Sequence, residues 1–116
     1  NSTTIADSIS VDLPRDGVRA VRAARETGGT YVIVQDEAIL EAIAELGKVG
    51  IFAEPAAATS YAGLVKALDD QIITPDDPAL VLITGSCLKY VKAAMQAVSE
   101  APILEPTLAA VKKFFL

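Results

Sequence analysis

The chain has 116 residues, 52% of them hydrophobic and 22% charged, with a net charge of −5. This length suits one domain, and the acidic balance argues against nucleic acid as a partner, because phosphate backbones need a basic surface. A single cysteine excludes an internal disulfide and suits a reducing compartment, so we expect a cytoplasmic protein. No apolar run approaches the ~20 residues of a membrane span, and no signal peptide is visible, so no membrane partner is expected.

The first third of the chain predicts a strand, a helix and a second strand. Apolar residues alternate with polar ones over 9–13, which indicates a strand with one buried face that ends at Pro14. Helical spacing of apolar residues follows over 15–27, and Gly28 with its neighbouring glycine ends that helix. The β-branched run 31–34 then predicts a short strand.

Two helices are predicted in the middle of the chain. The first has Asp36 as its N-cap and buries an apolar stripe before the glycines of 47–50 end it. The second begins at Glu54 with Pro55 in the first helical position, where the missing N–H costs nothing. It continues to Leu68, and Tyr61 belongs to its predicted core-facing stripe.

The last third begins with a polar loop over 74–78 and a strand over 80–84 that is apolar on both faces. Such a strand is typical of a sheet covered by helices on both sides. A helix from about Cys87 to Val98 and a short final helix ending at Leu116 complete the pattern.

Strands that alternate with helices predict an α/β fold over 1–116, a single segment. We expect a three-layer α/β sandwich, with a mostly parallel sheet flanked by helices. The strands 31–34 and 80–84 look interior, and without neighbours they would expose an edge that favours association. A homodimer, or failing that a marginally stable monomer, is therefore expected.

Few residues could carry chemistry. The chain has no histidine, no GxGxxG and no Walker loop, so it predicts neither a metal site nor a phosphate loop. Thr84 ends a strand and either caps the next turn or offers a hydroxyl to a ligand in the crevice. Glu54 is either a simple helix cap or a carboxylate that faces the same crevice. Cys87 is interpreted as a small buried residue at a helix start.

Four short motifs, in order, resemble the C-terminal part of threonine synthase. These enzymes are pyridoxal-phosphate (PLP) enzymes of the tryptophan-synthase-β type, or fold type II. The two strongest motifs are Gly-Ile-Phe-Ala-Glu-Pro-Ala-Ala-Ala at 50–58 and Leu-Ile-Thr-Gly-Ser-Cys-Leu-Lys at 82–89. Thr-Ile-Ala-Asp-Ser-Ile at 4–9 and Asp-Glu-Ala-Ile-Leu at 36–40 fit as well.

The resemblance implies threonine biosynthesis, in which O-phosphohomoserine and water give threonine and phosphate. It also implies that the hydroxyl of Thr84 bonds the pyridine nitrogen of the cofactor, and that Glu54 and the backbone around Ala6 line the pocket. A carboxylate at position 84 would keep the pyridine nitrogen protonated, whereas the neutral hydroxyl of Thr84 leaves that nitrogen largely unprotonated. Elimination chemistry is then favoured over transamination.

Two kinds of departure qualify the resemblance. The family usually has Gly at the position of Cys87 and Asp at that of Tyr90. A side chain at 87 would either crowd the turn against the cofactor or push the backbone off the conformation that Gly permits. The family's Schiff-base lysine lies upstream, and Lys89 is not that lysine. No residue of the chain is therefore assigned as catalytic, and we expect the chain alone to be inactive and to need an N-terminal portion as its partner.

Two other functions stay open at this point. Another lyase of the same fold type, such as threonine dehydratase or cysteate synthase, would share these C-terminal motifs. A non-catalytic α/β module that binds a small molecule or a partner would account for the changes at Cys87 and Tyr90.

Overall fold

The computed structural model describes residues 2–98 and 100–115. Five α-helices and two short 3-10 helices form within these residues. The α-helices are α1 (Gly17–Thr27), α2 (Asp36–Lys48), α3 (Pro55–Asp69), α4 (Val91–Ala97) and α5 (Leu108–Phe115), and the 3-10 helices are η1 (Asp7–Ile9) and η2 (Cys87–Lys89).

Helix α1 confirms the helix predicted over 15–27, although it begins two residues later. Gly28 ends it in the left-handed conformation, with φ of 68°, which glycine adopts without steric cost. The helix buries none of its residues, and Val18 is 84% exposed. The spacing of the apolar residues therefore predicted the helix correctly, but these residues do not pack against the core.

Helix α2 supplies the largest core side chains: Ile39, Ile43 and Leu46 are buried, as predicted. The prediction of Asp36 as N-cap is wrong by one residue, because Gln35 occupies that position and Asp36 is the first helical residue. The helix also continues through Gly47 to Lys48.

Helix α3 begins after Glu54 with Pro55, as predicted, but a different face of it is buried. The buried residues are Pro55 and small alanines, whereas Tyr61 is half-buried and Val65 is exposed. Alanines let two helix backbones approach closely, and α3 packs against α2 through this face. The predicted stripe of large residues lies at the edge of the core.

The segment predicted as one helix from Cys87 to Val98 is divided into η2 and α4. Tyr90 interrupts it with φ of −127° and ψ of 46°, which is not helical. Helix α4 packs on α2 and buries Ala93. The final helix is present as α5, and the predicted end at Leu116 lies outside the described residues.

The predicted strands are not formed within the described residues, where only one isolated bridge pairs Ala53 with Ser86. A strand needs a neighbour to complete its ladder, and neither 31–34 nor 80–84 has one. The three-layer sandwich with a mostly parallel sheet is therefore not confirmed; the described residues form helices and extended segments.

The extended segments nevertheless keep the alternation of a half-covered strand. In 80–83 the residues Leu80 and Leu82 are 88% and 66% exposed, whereas Val81 and Ile83 are half-buried. The segment 31–34 alternates in the same way, and its Ile33 is 76% exposed. Helices thus cover one face of these segments, contrary to the expectation that helices cover both.

The whole molecule is flat and open. Its radius of gyration is 18.1 Å and its extents are 62 × 36 × 19 Å, whereas a compact domain of this length has a radius of gyration of about 13 Å. Among the residues described, no helix has the length and apolar character needed to cross a membrane.

Candidate functional site

Two of the sequence motifs meet through a short antiparallel junction. The backbone N–H of Cys87 donates to the carbonyl of Phe52 at 2.9 Å, and the N–H of Glu54 donates to the carbonyl of Gly85 at 3.0 Å. These bonds flank the Ala53–Ser86 pair. Consequently the start of α3 and the turn after 80–84 form one local unit.

The Glu54 carboxylate lies against this turn. Glu54 occupies the N-cap position of α3, but its side chain makes no capping hydrogen bond. A Cβ placed on Gly85 would lie 2.9 Å from Cγ of Glu54 and would overlap its carboxylate. Glycine at position 85 is therefore what lets the Glu54 side chain cross the turn, and the interpretation of Glu54 as a simple cap is not supported.

The N-terminal motif reaches the same region because Asp36 anchors it. The carboxylate of Asp36 accepts hydrogen bonds from Thr4 Oγ1 at 2.5 Å and from the N–H of Ile5 at 3.1 Å. Ala6 follows and is almost fully buried in the core. The acid that begins α2 thus fixes the position of the Ala6 backbone.

A second hydrogen bond connects the N-terminal motif to Tyr90, the residue that follows η2. The hydroxyl of Tyr90 donates to Oδ2 of Asp7 at 2.9 Å, which joins residues 83 positions apart. This hydrogen bond raises the pKa of Tyr90, and the nearby charges of Asp7 and Glu54 raise it further. Tyr90 therefore connects η1 to the end of η2.

Cys87 is inert in this setting. Its side chain is fully buried and its thiol donates to the carbonyl of Tyr90 at 3.4 Å. Burial raises the pKa of the Cys87 thiol, and the Glu54 carboxylate raises it further, so the thiol stays protonated at neutral pH. The interpretation of Cys87 as a small buried residue is confirmed.

The backbone at position 87 does not require glycine. Among the described residues, Gln71 is the one non-glycine residue with positive φ, at 57°. The Cys87 side chain enters the core, whereas Thr84 and Ser86 lie on the exposed side of the turn. Displacement of the backbone by Cys87 is therefore not seen among the described residues.

Thr84 is exposed, and in the part of the chain that the structure describes its hydroxyl forms no hydrogen bond. The capping role considered for it belongs to Ser86, whose hydroxyl accepts from the N–H of Leu88 at 3.4 Å. The hydroxyl of Ser60 in α3 lies 2.6 Å from the carbonyl of Ala57 and 3.0 Å from that of Leu82, so it can donate its one proton to either. The Thr84 hydroxyl is free to bond a ligand.

The structure therefore brings Glu54 against the Thr84 turn, and the Tyr90–Asp7 hydrogen bond joins the residue after Ala6 to the end of η2. Sequence reasoning missed the positioning contacts of Asp36, Asp7 and Tyr90. Asp36 was interpreted as a helix cap, Asp7 was quoted only within a motif, and Tyr90 was noted only as a departure from the family. Lys89 is exposed on η2, and the described residues contain no group of side chains that could hold a metal ion.

Comparisons with known proteins identify the family of the chain. A family described as "Pyridoxal-phosphate dependent enzyme" matches residues 1–85. Threonine synthase from Methanosarcina acetivorans is 34% identical to this chain over 97% of its length. The threonine synthases from Methanocaldococcus jannaschii and Mycobacterium bovis are 43% identical over 89% and 35% identical over 97% of the chain. The matched part is 28%, 25% and 32% of those relatives, so the chain spans about a quarter to a third of their length.

Proposed function

The chain belongs to the pyridoxal-phosphate-dependent enzyme family, and we propose that it is the C-terminal part of a threonine synthase-like enzyme and supplies one wall of its cofactor site. The whole enzyme would convert O-phosphohomoserine and water into threonine and phosphate. This proposal rests on the resemblance to threonine synthases over most of the chain. One structural observation carries it: Glu54 lies against the turn at Gly85, and the neighbouring Thr84 hydroxyl has no partner among the described residues.

Thr84 is suited to bond the pyridine nitrogen of the cofactor. An unprotonated pyridine nitrogen is an acceptor, and a threonine hydroxyl can donate to it without giving up a proton. The hydroxyl is exposed and has no partner among residues 2–98 and 100–115. When bound, pyridoxal phosphate supplies the electron sink for the reaction, and a neutral donor at its nitrogen limits that sink.

Glu54 and Ala6 would shape the same wall. The Glu54 side chain rests on Gly85 beside Thr84, and its charge also acts on Tyr90 and Cys87. Ala6 presents a backbone that Asp36 fixes through its two hydrogen bonds to the preceding residues. Rigid support of this kind is what a binding surface needs.

The remaining chemistry would come from an N-terminal portion. Covalent catalysis on this cofactor needs a lysine amine at its aldehyde, and Lys89 lies exposed on the short 3-10 helix η2. The uncovered faces of 31–34 and 80–83 support a partner that completes the sheet. In the α/β fold expected for this family, that partner would supply the missing strands and the second layer of helices.

The test is a fusion of the N-terminal portion of the Methanocaldococcus jannaschii relative, up to its matched segment, to this chain. We expect the fusion to retain pyridoxal phosphate through dialysis and to release threonine and phosphate from O-phosphohomoserine. Thr84→Val should lower both, whereas Thr30→Val, an exposed control, should not. Retention of a lysine-bound cofactor by the 116-residue chain alone would contradict the proposal.

The same fusion separates the competing functions. Dehydration of threonine with no activity on O-phosphohomoserine would indicate a threonine dehydratase-like enzyme. A folded fusion without cofactor binding would favour a non-catalytic module.

A further inference from the structure

A groove between α2 and α3 lies apart from the turn at Thr84. It has a volume of about 650 Å³, and small side chains form its floor, including Ala38, Ala42 and Ala62. Acidic side chains form its walls, with Glu41 and Glu45 on α2 and the aspartates at the end of α3. The groove is therefore apolar at its base and negatively charged at its rim.

The rim charge is only partly neutralised within the chain. Glu45 pairs with Lys48 at 2.5 Å, and Asp70 pairs with Lys66 at 2.9 Å. Glu41 lies one helical turn before Glu45, so two like charges are neighbours on the α2 wall, which is unfavourable. A cation placed at this wall would relieve that repulsion.

Helix α5 has the complementary properties. Leu108, Val111 and Phe115 fall on one side of the helix, and Lys112 lies beside that stripe. Phe115 is 72% exposed, none of the described residues of α5 is buried, and the helix contains no acidic residue. It is thus a basic amphipathic helix whose apolar face has no partner within the described residues.

We propose that the groove between α2 and α3 receives α5 of a second copy of this chain. The apolar stripe would fill the groove over the alanine floor, and Lys112 beside the stripe would meet the acidic rim. The helix and the groove occur once in each copy, so a twofold exchange satisfies both and closes the assembly.

The linker favours exchange between copies over docking within one chain. Pro102 and Pro106 lie between α4 and α5, in a stretch whose Ile103 is fully exposed. Proline-containing linkers are stiff and extended, so they hold the following segment away from the body that precedes them. The inference does not depend on cofactor binding, since its test measures association alone.

Charge reversal with rescue tests this proposal in the 116-residue chain. Sedimentation velocity should show a concentration-dependent dimer. The Lys112→Glu chain and the Glu41→Lys/Glu45→Lys chain should each dimerise about tenfold more weakly or worse at low salt. An equimolar mixture of the two variants should restore the dimer, because each helix then meets a groove of opposite charge.

A matched control and three outcomes decide the question. Lys92→Glu on the exposed side of α4 should leave the dimer unchanged, and added salt should shrink the effect of the reversals. A monomer at all concentrations would overturn the proposal. Failure of the mixture to associate, or a dimer that Leu82→Asp disrupts and charge reversal does not, would also overturn it.

Discussion

Gly85 and Glu54 should be energetically coupled, and a double-mutant cycle can measure that coupling. The substitution Gly85→Ala adds a methyl group where the Glu54 side chain crosses the turn. The obstacle is the far end of a flexible, half-buried side chain, so the carboxylate will move and the backbone will stay. The structure therefore predicts a cost that disappears when Glu54 is shortened.

The magnitude follows from two opposed terms. Overpacking costs about 1–3 kcal/mol, and the mobility of Glu54 places this site near 1 kcal/mol. Removing a glycine from the unfolded chain stabilises by about 0.4–1 kcal/mol when the new residue fits. Gly85→Ala should thus be neutral or destabilising in the natural sequence. In the Glu54→Ala background it should stabilise the fold by about 0.4–1 kcal/mol.

Urea unfolding followed by circular dichroism measures all four corners of the cycle. We expect a coupling energy of about 1 kcal/mol with unchanged m-values. Gly47→Ala is the control, because a Cβ there meets nothing within 4 Å, and it should stabilise α2 in either background. Additivity of the two substitutions within about 0.3 kcal/mol would refute the contact between Glu54 and the turn.

Three further predictions concern the elements that support the site. The hydrogen bond to Asp7 raises the pKa of Tyr90. The contact therefore stabilises the fold below the ordinary tyrosine pKa, and this stabilisation is lost as pH rises through the raised pKa. Asp7→Asn should shift the ultraviolet titration of Tyr90 to lower pH. The raised pKa of the buried Cys87 predicts slow labelling by a thiol reagent at neutral pH in the folded chain and fast labelling in urea, and equal rates would contradict its burial. Leu82→Asp, on the uncovered face, should leave the chain's own unfolding within about 0.5 kcal/mol but abolish cofactor retention by the fusion; retention at the natural level would show that this face has no partner.

The sequence predicted helices better than strands because helices complete their hydrogen bonds locally. Helices α1, α2 and α3 all lie within two residues of their predicted starts. The run 80–84 has the composition of a strand, yet a ladder also depends on a neighbour that composition does not reveal. The buried face of α3 was misjudged because size was taken as the guide, whereas the close approach of α2 selects alanines.

The candidate site was predictable in part, for a related reason. Glu54 and Thr84 stand at a helix start and at the end of an apolar run, positions that the pattern identifies. The contacts of Tyr90 with Asp7 and of Asp36 with Thr4 join residues 83 and 32 positions apart. Such pairs follow from the tertiary fold, and nothing in the local sequence indicates them.

The central claim concerns the hydroxyl of Thr84 and a pyridine nitrogen. Nitrogen NMR of the fusion, loaded with pyridoxal phosphate labelled at its ring nitrogen, tests it most directly. With threonine at position 84 we predict the chemical shift of an unprotonated pyridine, and with Thr84→Asp that of a protonated one, because a carboxylate stabilises the charge. The same shift in both proteins would show that residue 84 does not face the nitrogen, and would contradict the account.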